Sequence, residues 1–331
     1  MAEDITQTQV DILTCLQQTP ETYFSIKSIC EMLHVSPQRA HQGLRELVHW
    51  GYRFDQNERG EIKYRSAPDL LFPHEIVRGL KSSLFATRIR SYGRVASTNA
   101  LAYRLAERGE PEGTVVIAER QTAGKGRLGR TWSSPPKVGL YLSLILRPPI
   151  SPALAPGLSL IAALSVAESI RHYPKLKAMI KWPNDVLLDG KKVAGVLTEL
   201  SAELDRIRFV IVGIGINVNH SVKEFPEELR SKATSLQLEA TQKVDRIKLV
   251  QLLLTNLEKR YYSFVKSGLK NQIGAIREYS ALLTKKVSFK QNGKTVTGTA
   301  IDIDNNGMLV VDLGDGKVSV GSGEVSLAES Y

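Results

Sequence analysis

Residues Gly124–Lys137 read GKGRLGRTWSSPPK, and the fold turns on how they are read. Gly124, Gly126 and Gly129 have the spacing G-x-G-x-x-G. They follow the short apolar run TVVIAE (114–119), which reads as a buried strand. In a dinucleotide-binding fold a helix opens at such glycines, so that its N-terminus faces the pyrophosphate. Here two serines and two prolines follow Trp132, and the prolines stop any helix. The acidic residue such a fold places roughly 20 residues further on is replaced by Leu146-Arg147-Pro148. A Walker A loop fails too, since no Gly-Lys-Ser/Thr follows four spacers. What remains is a glycine-hinged loop carrying Lys125, Arg127 and Arg130 and ending on an indole. Cations so placed neutralise charge on a transferring phosphoryl or adenylyl group, and an indole offers a base a stacking face. A solvated basic surface loop is the competing reading.

Outward from this loop, helices and strands alternate. VGLYLSLIL (138–146), AMIKW (178–182), KVAGVLTEL (192–200) and RFVIVGIGINV (208–218) read as strands. STNALAYRLAERGE (97–110) is an amphipathic helix with a Ser/Thr start and Gly109 at its end. GLSLIAALSVAESI (157–170) is apolar almost all round and reads as a buried helix. Ile247, Val250, Leu254, Leu257, Tyr261 and Phe264 trace a long amphipathic one. The class is α+β, with a central mixed β-sheet covered by helices over residues 67–283. Residues 67–95, with Pro68 and Pro73, read as a linker leading into it.

Three further signals stand in this region. KWPND (181–185) puts Lys181 at the mouth of the sheet beside a tight turn; alone, it reads equally as an ordinary hairpin turn. GIGINVN (213–219) combines two glycines that permit close backbone approach with Asn217, a partner for ribose or phosphate. Ser97-Thr98-Asn99 reads by default as a helix N-cap.

Residues 1–66 read as three helices and a hairpin. Ile26, Ile29, Cys30 and Leu33 share one helix face, and Ser25 caps that helix. After a break at His34-Val35, Ser36-Pro37 starts a second helix with Ala40, Leu44, Leu47 and Val48 on its apolar face and Gly51 past its end. The short turn between them makes a helix-turn-helix, and the hairpin around Gly60 makes a wing. Gln38, Arg39, His41, Gln42 and Arg45 face away from the apolar stripe and suit DNA major-groove contacts; wing residues Arg53, Arg59, Lys63 and Arg65 suit phosphates. A helical protein-interaction module is the alternative. Residues 284–331 are short strands separated by Asn292-Gly293, Asn306-Gly307 and Asp315-Gly316 turns, as in an SH3-like β-barrel.

Charge and composition narrow the class. The 331-residue chain has a net charge of +10. Residues 67–283 carry 32 basic and 19 acidic side chains, whereas residues 1–66 and 284–331 are slightly acidic. A basic centre attracts phosphates, nucleic acid or acidic proteins; scattered cations that serve only solubility are the plain alternative. Two cysteines, Cys15 and Cys30, exclude a disulfide framework and favour the cytoplasm. No Cys/His cluster has zinc-ligand spacing. The polar start MAEDITQTQVD does not read as a signal peptide. No apolar run approaches the roughly 18 residues of a membrane span, so no membrane partner is expected.

Ser97-Thr98-Asn99, GKGRLGRTW, KWPND, KKVAG (191–195) and GIGINVN, in this order and spacing, resemble the biotin–protein ligases. The terminal modules match the two-function members, which also repress the biotin operon. The resemblance covers nearly the whole chain and implies a two-step ligation. The carboxylate of biotin attacks the α-phosphate of MgATP, giving biotinyl-5′-AMP and pyrophosphate; a lysine of a biotin carboxyl carrier protein domain then takes the biotinyl group as an amide.

Carried over by position, Ser97, Thr98, Asn99 and Gln121 hold biotin's ureido ring, and Lys125, Gly126 and Arg127 close over biotin and the adenylate. Arg127 is the main stabiliser of the adenylate, with Arg130 on the phosphates, Trp132 on adenine and Lys181 between the biotin carboxylate and the α-phosphate. Lys192 is a further phosphate contact, Asn217 helps hold ATP, and Asp185 orients Lys181 or Mg2+. Lys125 departs from the family, where many members have Arg. The resemblance also implies operator DNA as a partner and a ligand-promoted homodimer. A lipoate-type ligase and a non-catalytic, ligand-sensing regulator are the rival readings.

Overall fold

A computed structural model describes residues 5–291, 293–321 and 323–328. The expected turn residue Asn292 lies outside them. The chain divides into two compact units, Met1–Leu70 and Leu71–Tyr331.

In the first unit, helices α1 (Gln7–Gln18), α2 (Ile26–Leu33) and α3 (Pro37–His49) are followed by strands β1 (Arg53–Gln56) and β2 (Ile62–Ser66), paired antiparallel. The Ser25 and Ser36 hydroxyls accept the backbone N–H groups of Ser28 and Arg39, capping α2 and α3. His34, at φ 52°, ends α2 in the left-handed region. Gly51, at φ 99°, follows α3. Ile12, Leu13, Leu16, Ile29, Ala40, Leu44, Leu47 and Tyr52 form the core. Gly43 lets α1 and α3 approach closely: a Cβ there would lie 3.0 Å from Ile12 Cδ1. Val48, expected on the buried face, is 57% exposed; α1 covers the stripe through Leu44 and Leu47, and Val48 lies one step round the helix.

The second unit is built on a seven-stranded mixed sheet, in the order β3-β4-β5-β9-β8-β7-β6. Its order along the chain is α4 (Pro73–Arg78), β3 (Ile89–Tyr92), α5 (Thr98–Glu107), β4 (Val115–Ala118), β5 (Gly139–Leu146), α6 (Gly157–Arg171), β6 (Met179–Lys181), β7 (Asp185–Leu188), β8 (Lys191–Glu203) and β9 (Arg206–Asn217). Helices α7 (Leu236–Ala240), α8 (Arg246–Ser267) and α9 (Ile273–Glu278) follow. Only β3 and β4 run parallel; the other pairs are antiparallel. α6 packs on α8 and on β6–β9, while α5 packs on β4, β5 and β9. Each face has its own core: Val115, Ile117, Leu142 and Leu144 on the α6 side, and Val116, Ile145, Phe209 and Ile211 on the α5 side.

Two expectations are corrected here. The segment read as a linker, residues 67–95, holds α4 and the edge strand β3, and it buries Leu71, Ile76 and Phe85 in the main core. Pro73 is the first residue of a short helix rather than part of a flexible tether. The expectation that no stretch is long and apolar enough for a membrane span fails for Pro152–Arg171, with a mean hydropathy of 1.6. Of that stretch 72% is buried inside the fold, because α6 is apolar all round to meet both α8 and the sheet.

The last residues form a five-stranded antiparallel sheet, β13-β12-β11-β10-β14, from β10 (Lys286–Gln291), β11 (Lys294–Ile303), β12 (Leu309–Asp312), β13 (Lys317–Val320) and β14 (Val325–Leu327). It docks through a buried hydrogen bond from Trp182 Nε1 to the Gly307 carbonyl, 2.8 Å.

Polar groups buried at the end of the sheet fix the loop between β4 and β5. Glu119 accepts from Arg246 at 2.8 Å and from the Leu71 backbone N–H at 2.7 Å, and Arg246 also donates to the Gly139 carbonyl at 3.1 Å. Tyr141 donates its hydroxyl to the Pro135 carbonyl, 3.0 Å, and lies 3.2 Å from His220 Nε2. Burial pushes the His220 imidazole down to about 4. The unfolded chain therefore takes up this proton first, so His220 contributes stability that is complete above about pH 6.5 and is lost as pH falls towards 4. Urea unfolding should show the wild type losing about 3 kcal/mol more than His220→Phe across that window. Parallel pH profiles for the two proteins would refute the assignment.

Candidate active site

Side-chain alternation puts Gly195 and Leu197 of β8, Gly213 and Gly215 of β9, and Tyr141 and Ser143 of β5 on one face. Gly195 pairs with Gly215, which pairs with Tyr141; Leu197 pairs with Gly213, which pairs with Ser143. The glycines leave this face bare, and two side chains move in. A Cβ on Gly213 would lie 1.9 Å from Asn99 Oδ1, and one on Gly215 would lie 2.5 Å from the Trp132 indole. The result is a cleft open to solvent, walled by the start of α5, by Gln121 and by the 124–132 loop.

One end of the cleft is polar and uncharged apart from a single carboxylate. Thr98 donates its backbone N–H and hydroxyl to Gln121 Oε1 at 2.8 and 3.1 Å, and Gln121 Nε2 donates to Ser134 Oγ at 2.9 Å. Asn99 Nδ2 donates to Glu199 at 2.7 Å, and Ser143 Oγ lies 2.6 Å from Asn99 Oδ1 and 2.8 Å from Thr98 Oγ1. Each amide thus has its oxygen and nitrogen ends fixed by a partner. Ser97, expected in this group, caps α5 and also lines the cleft.

The other end is cationic. The 124–132 loop is a small hairpin: Gly126 N–H donates to the Arg130 carbonyl at 2.7 Å, and Trp132 N–H to the Gly124 carbonyl at 2.9 Å. A single 3-10 turn spans Arg127–Gly129, with Leu128 and Gly129 at positive φ. Arg127 is pinned to Asn184 Oδ1 at 2.7 Å and to the Gly323 carbonyl at 3.3 Å. Arg130 grips the Glu324 carboxylate with both terminal nitrogens. A free, solvated loop does not describe this.

The structure gathers Ser97, Thr98, Asn99, Gln121, Lys125, Gly126, Arg127, Trp132 and Lys192 around the cleft. Other expected site residues stand elsewhere. Arg130 turns out to the C-terminal module. Lys181 closes β6 without lining the cleft, although its charge acts on Glu324. Asp185, the cross-strand partner of Lys181, pairs with Lys192 at 2.7 Å, and it belongs to no cluster of three metal-ligating side chains among the described residues. That pairing also partly neutralises Lys192, which lies 5.4 Å from the Trp132 ring. Asn217 is buried and donates its amide to the Thr234 carbonyl at 3.1 Å, outside the cleft lining. Sequence reasoning missed Asn184, Ser143, Glu199 and Glu324. Asn184 stands inside KWPND; the others become visible only through strand register or the docking of a distant module.

Residues 92–217 match the biotin/lipoate A/B protein ligase family, and residues 284–328 match the biotin protein ligase C terminal domain. The chain is 35% identical over 317 residues to the bifunctional ligase/repressor BirA of Bacillus subtilis, covering 96% of this chain and 98% of that one. It is 37% identical over 236 residues to the biotin–[acetyl-CoA-carboxylase] ligase of Mycobacterium tuberculosis, covering 69% and 85%. A biotin protein ligase from Aquifex aeolicus, solved with biotin and ATP, superposes with a TM-score of 0.65 at 34% identity, over 74% of this chain and 100% of that one. The matches define a ligase core joined to its C-terminal module. The chain belongs to the biotin protein ligase family, on the branch of the bifunctional ligase/repressors.

Gly215→Ala should unseat Trp132 and loosen the loop it anchors. Limited trypsin digestion should then cut after Lys125, Arg127 or Arg130 roughly three- to ten-fold faster than in the wild type. Equal cleavage rates would show that the indole does not hold the loop.

Proposed function

We propose that this chain is a biotin–protein ligase. It joins biotin to AMP from MgATP and passes the biotinyl group to a lysine of a biotin carboxyl carrier protein domain. The observation that carries this reading is the two-ended cleft: neutral hydrogen-bonding groups suited to a ureido ring at one end, and fixed cations at the other. Both reactants of the first step are anionic and repel one another unless cations stand between them. No side-chain nucleophile is needed, because ATP supplies the activation.

Thr98, Asn99, Gln121 and Ser97 would hold the ureido ring. Lys125, Gly126 and Arg127 would cover biotin and the adenylate, with Arg127 as the chief stabiliser. Arg130 and Lys181 would meet the phosphates, and Trp132 would stack on adenine. Magnesium arrives as part of the MgATP substrate, held mainly by phosphate oxygens. Lys192 keeps a secondary role because of its tie to Asp185, and Asn217 acts by fixing the Thr234 segment.

Pyrophosphate release and biotinyl-5′-AMP, measured with biotin and MgATP, test the reading. Lipoate should not replace biotin. Arg127→Ala should lower the first-step rate by roughly 10²–10³-fold, the range for removing one preorganised donor. A wild-type enzyme that forms no adenylate would end the proposal.

A second role rests on the first unit. Its helices and hairpin suit a winged helix-turn-helix, and Gln38, Arg39, His41, Gln42 and Arg45 are all exposed along α3. We read this as an operator-binding face of a cytoplasmic, biotin-responsive repressor that acts as a ligand-promoted homodimer. Two wing cations are engaged within the unit, Lys63 with Glu21 and Arg65 with Asp55, so α3 carries most of the contact. A gel shift on a biotin-operon promoter should strengthen when biotin and MgATP are added. Arg45→Ala should weaken it roughly ten-fold, and no shift under either condition would leave only the ligase.

A further inference from the structure

The C-terminal module touches the cationic loop through Arg127, which lines the cleft, and Arg130, which turns away from it. Glu324 reaches Arg130 with a paired geometry, Oε1 to one terminal nitrogen at 3.0 Å and Oε2 to the other at 2.6 Å. Gly323, at φ +108°, a conformation that favours glycine, turns its carbonyl to Arg127. Three proposed phosphate partners therefore surround one carboxylate. The carboxylate is held below its ordinary range by the Arg130 hydrogen bond first, against partial burial, and then by the charges of Arg130, Lys181 and Arg127.

A guanidinium fork accepts carboxylate and phosphate in the same two-point geometry. An anion fixed on that fork is chemically a stand-in for a phosphoryl group. We propose that Glu324 is a positioning residue that exchanges with the nucleotide's polyphosphate on Arg130. The carboxylate holds the guanidinium in place, yields to MgATP, and takes the fork back as pyrophosphate leaves. The proposal rests on the reading of Arg127, Arg130 and Lys181 as the phosphate subsite. It makes the C-terminal module part of nucleotide binding and of product release. The pair is partly exposed, with side-chain accessibilities of 65% and 46%, so exchange opens no core and its energy is modest.

The test is competition, measured on the full chain. Calorimetry with magnesium pyrophosphate, and separately with biotin, compares the wild type with Glu324→Gln and Glu324→Asp. Glu324→Gln should bind pyrophosphate roughly five-fold tighter, with biotin affinity unchanged and the gain lost at high salt. Glu324→Asp should fall between the two. In steady state, KM for MgATP and the inhibition constant for pyrophosphate should drop together, while KM for biotin stays level. Equal or weaker pyrophosphate binding by Glu324→Gln would overturn the exchange and leave the contact as mere docking, as would no pyrophosphate binding by either protein. Pyrophosphate binding is read without turnover. A wild type that binds it and shows the expected shift, yet makes no adenylate, would refute the ligase reading and spare the exchange.

Discussion

Like charges crowded at one edge of a sheet repel, and a chain that brings Arg127, Arg130, Lys181 and Lys192 together has to offset that repulsion within itself. Counterparts come from three directions. Asp185 sits on Lys192, Asn184 and the Gly323 carbonyl take Arg127, and Glu324 takes Arg130. The partly exposed Glu324 carboxylate binds its cation loosely enough to give way to a better anion. The cations are thus both ordered and replaceable, as a site that must admit and release polyanions requires.

Order at that edge is set from the core. Glu119 and Arg246 are buried together where β4 ends, and their hydrogen bonds reach the Leu71 backbone and the first residue of β5. Removing one partner of such a pair costs about 3–5 kcal/mol, because the other charge stays buried alone. The 124–132 loop therefore leaves from a rigid point and returns to one, and its glycines bend only between fixed ends. Trp132 adds a third restraint by lying on the bare face of β8 and β9.

Most of this architecture was legible in the sequence because it rests on local rules. Short apolar runs mark the strands of the main sheet, serines mark the helix starts, and the prolines after Trp132 exclude a Rossmann helix. At the polar end of the cleft, Thr98 and Asn99 stand in the Ser97-Thr98-Asn99 motif, whereas Gln121 enters only through the family resemblance. What the sequence does not show is the protein partners: Asp185 pairs with Lys192, and Asn217 donates to the Thr234 carbonyl. Glu199 and Ser143 act on Asn99 through cross-strand register, and Glu324 acts across 194 residues of chain. Pro68 and Pro73 suggest a linker over residues 67–95, yet buried Phe85 and Ile76 decide that segment's place.

The bare floor of the cleft bears on how this gene can vary. Glycine has no smaller neighbour, so every missense change at codon 213 adds at least a carbon where Asn99 Oδ1 would stand 1.9 Å away. Elsewhere in a core, a bulkier residue can be traded against a slimmer one across the gap. Asn99 cannot shrink without giving up the amide that Glu199 and Ser143 orient. Drift at this spot has no neutral direction, and second-site repair must come from shifting a strand.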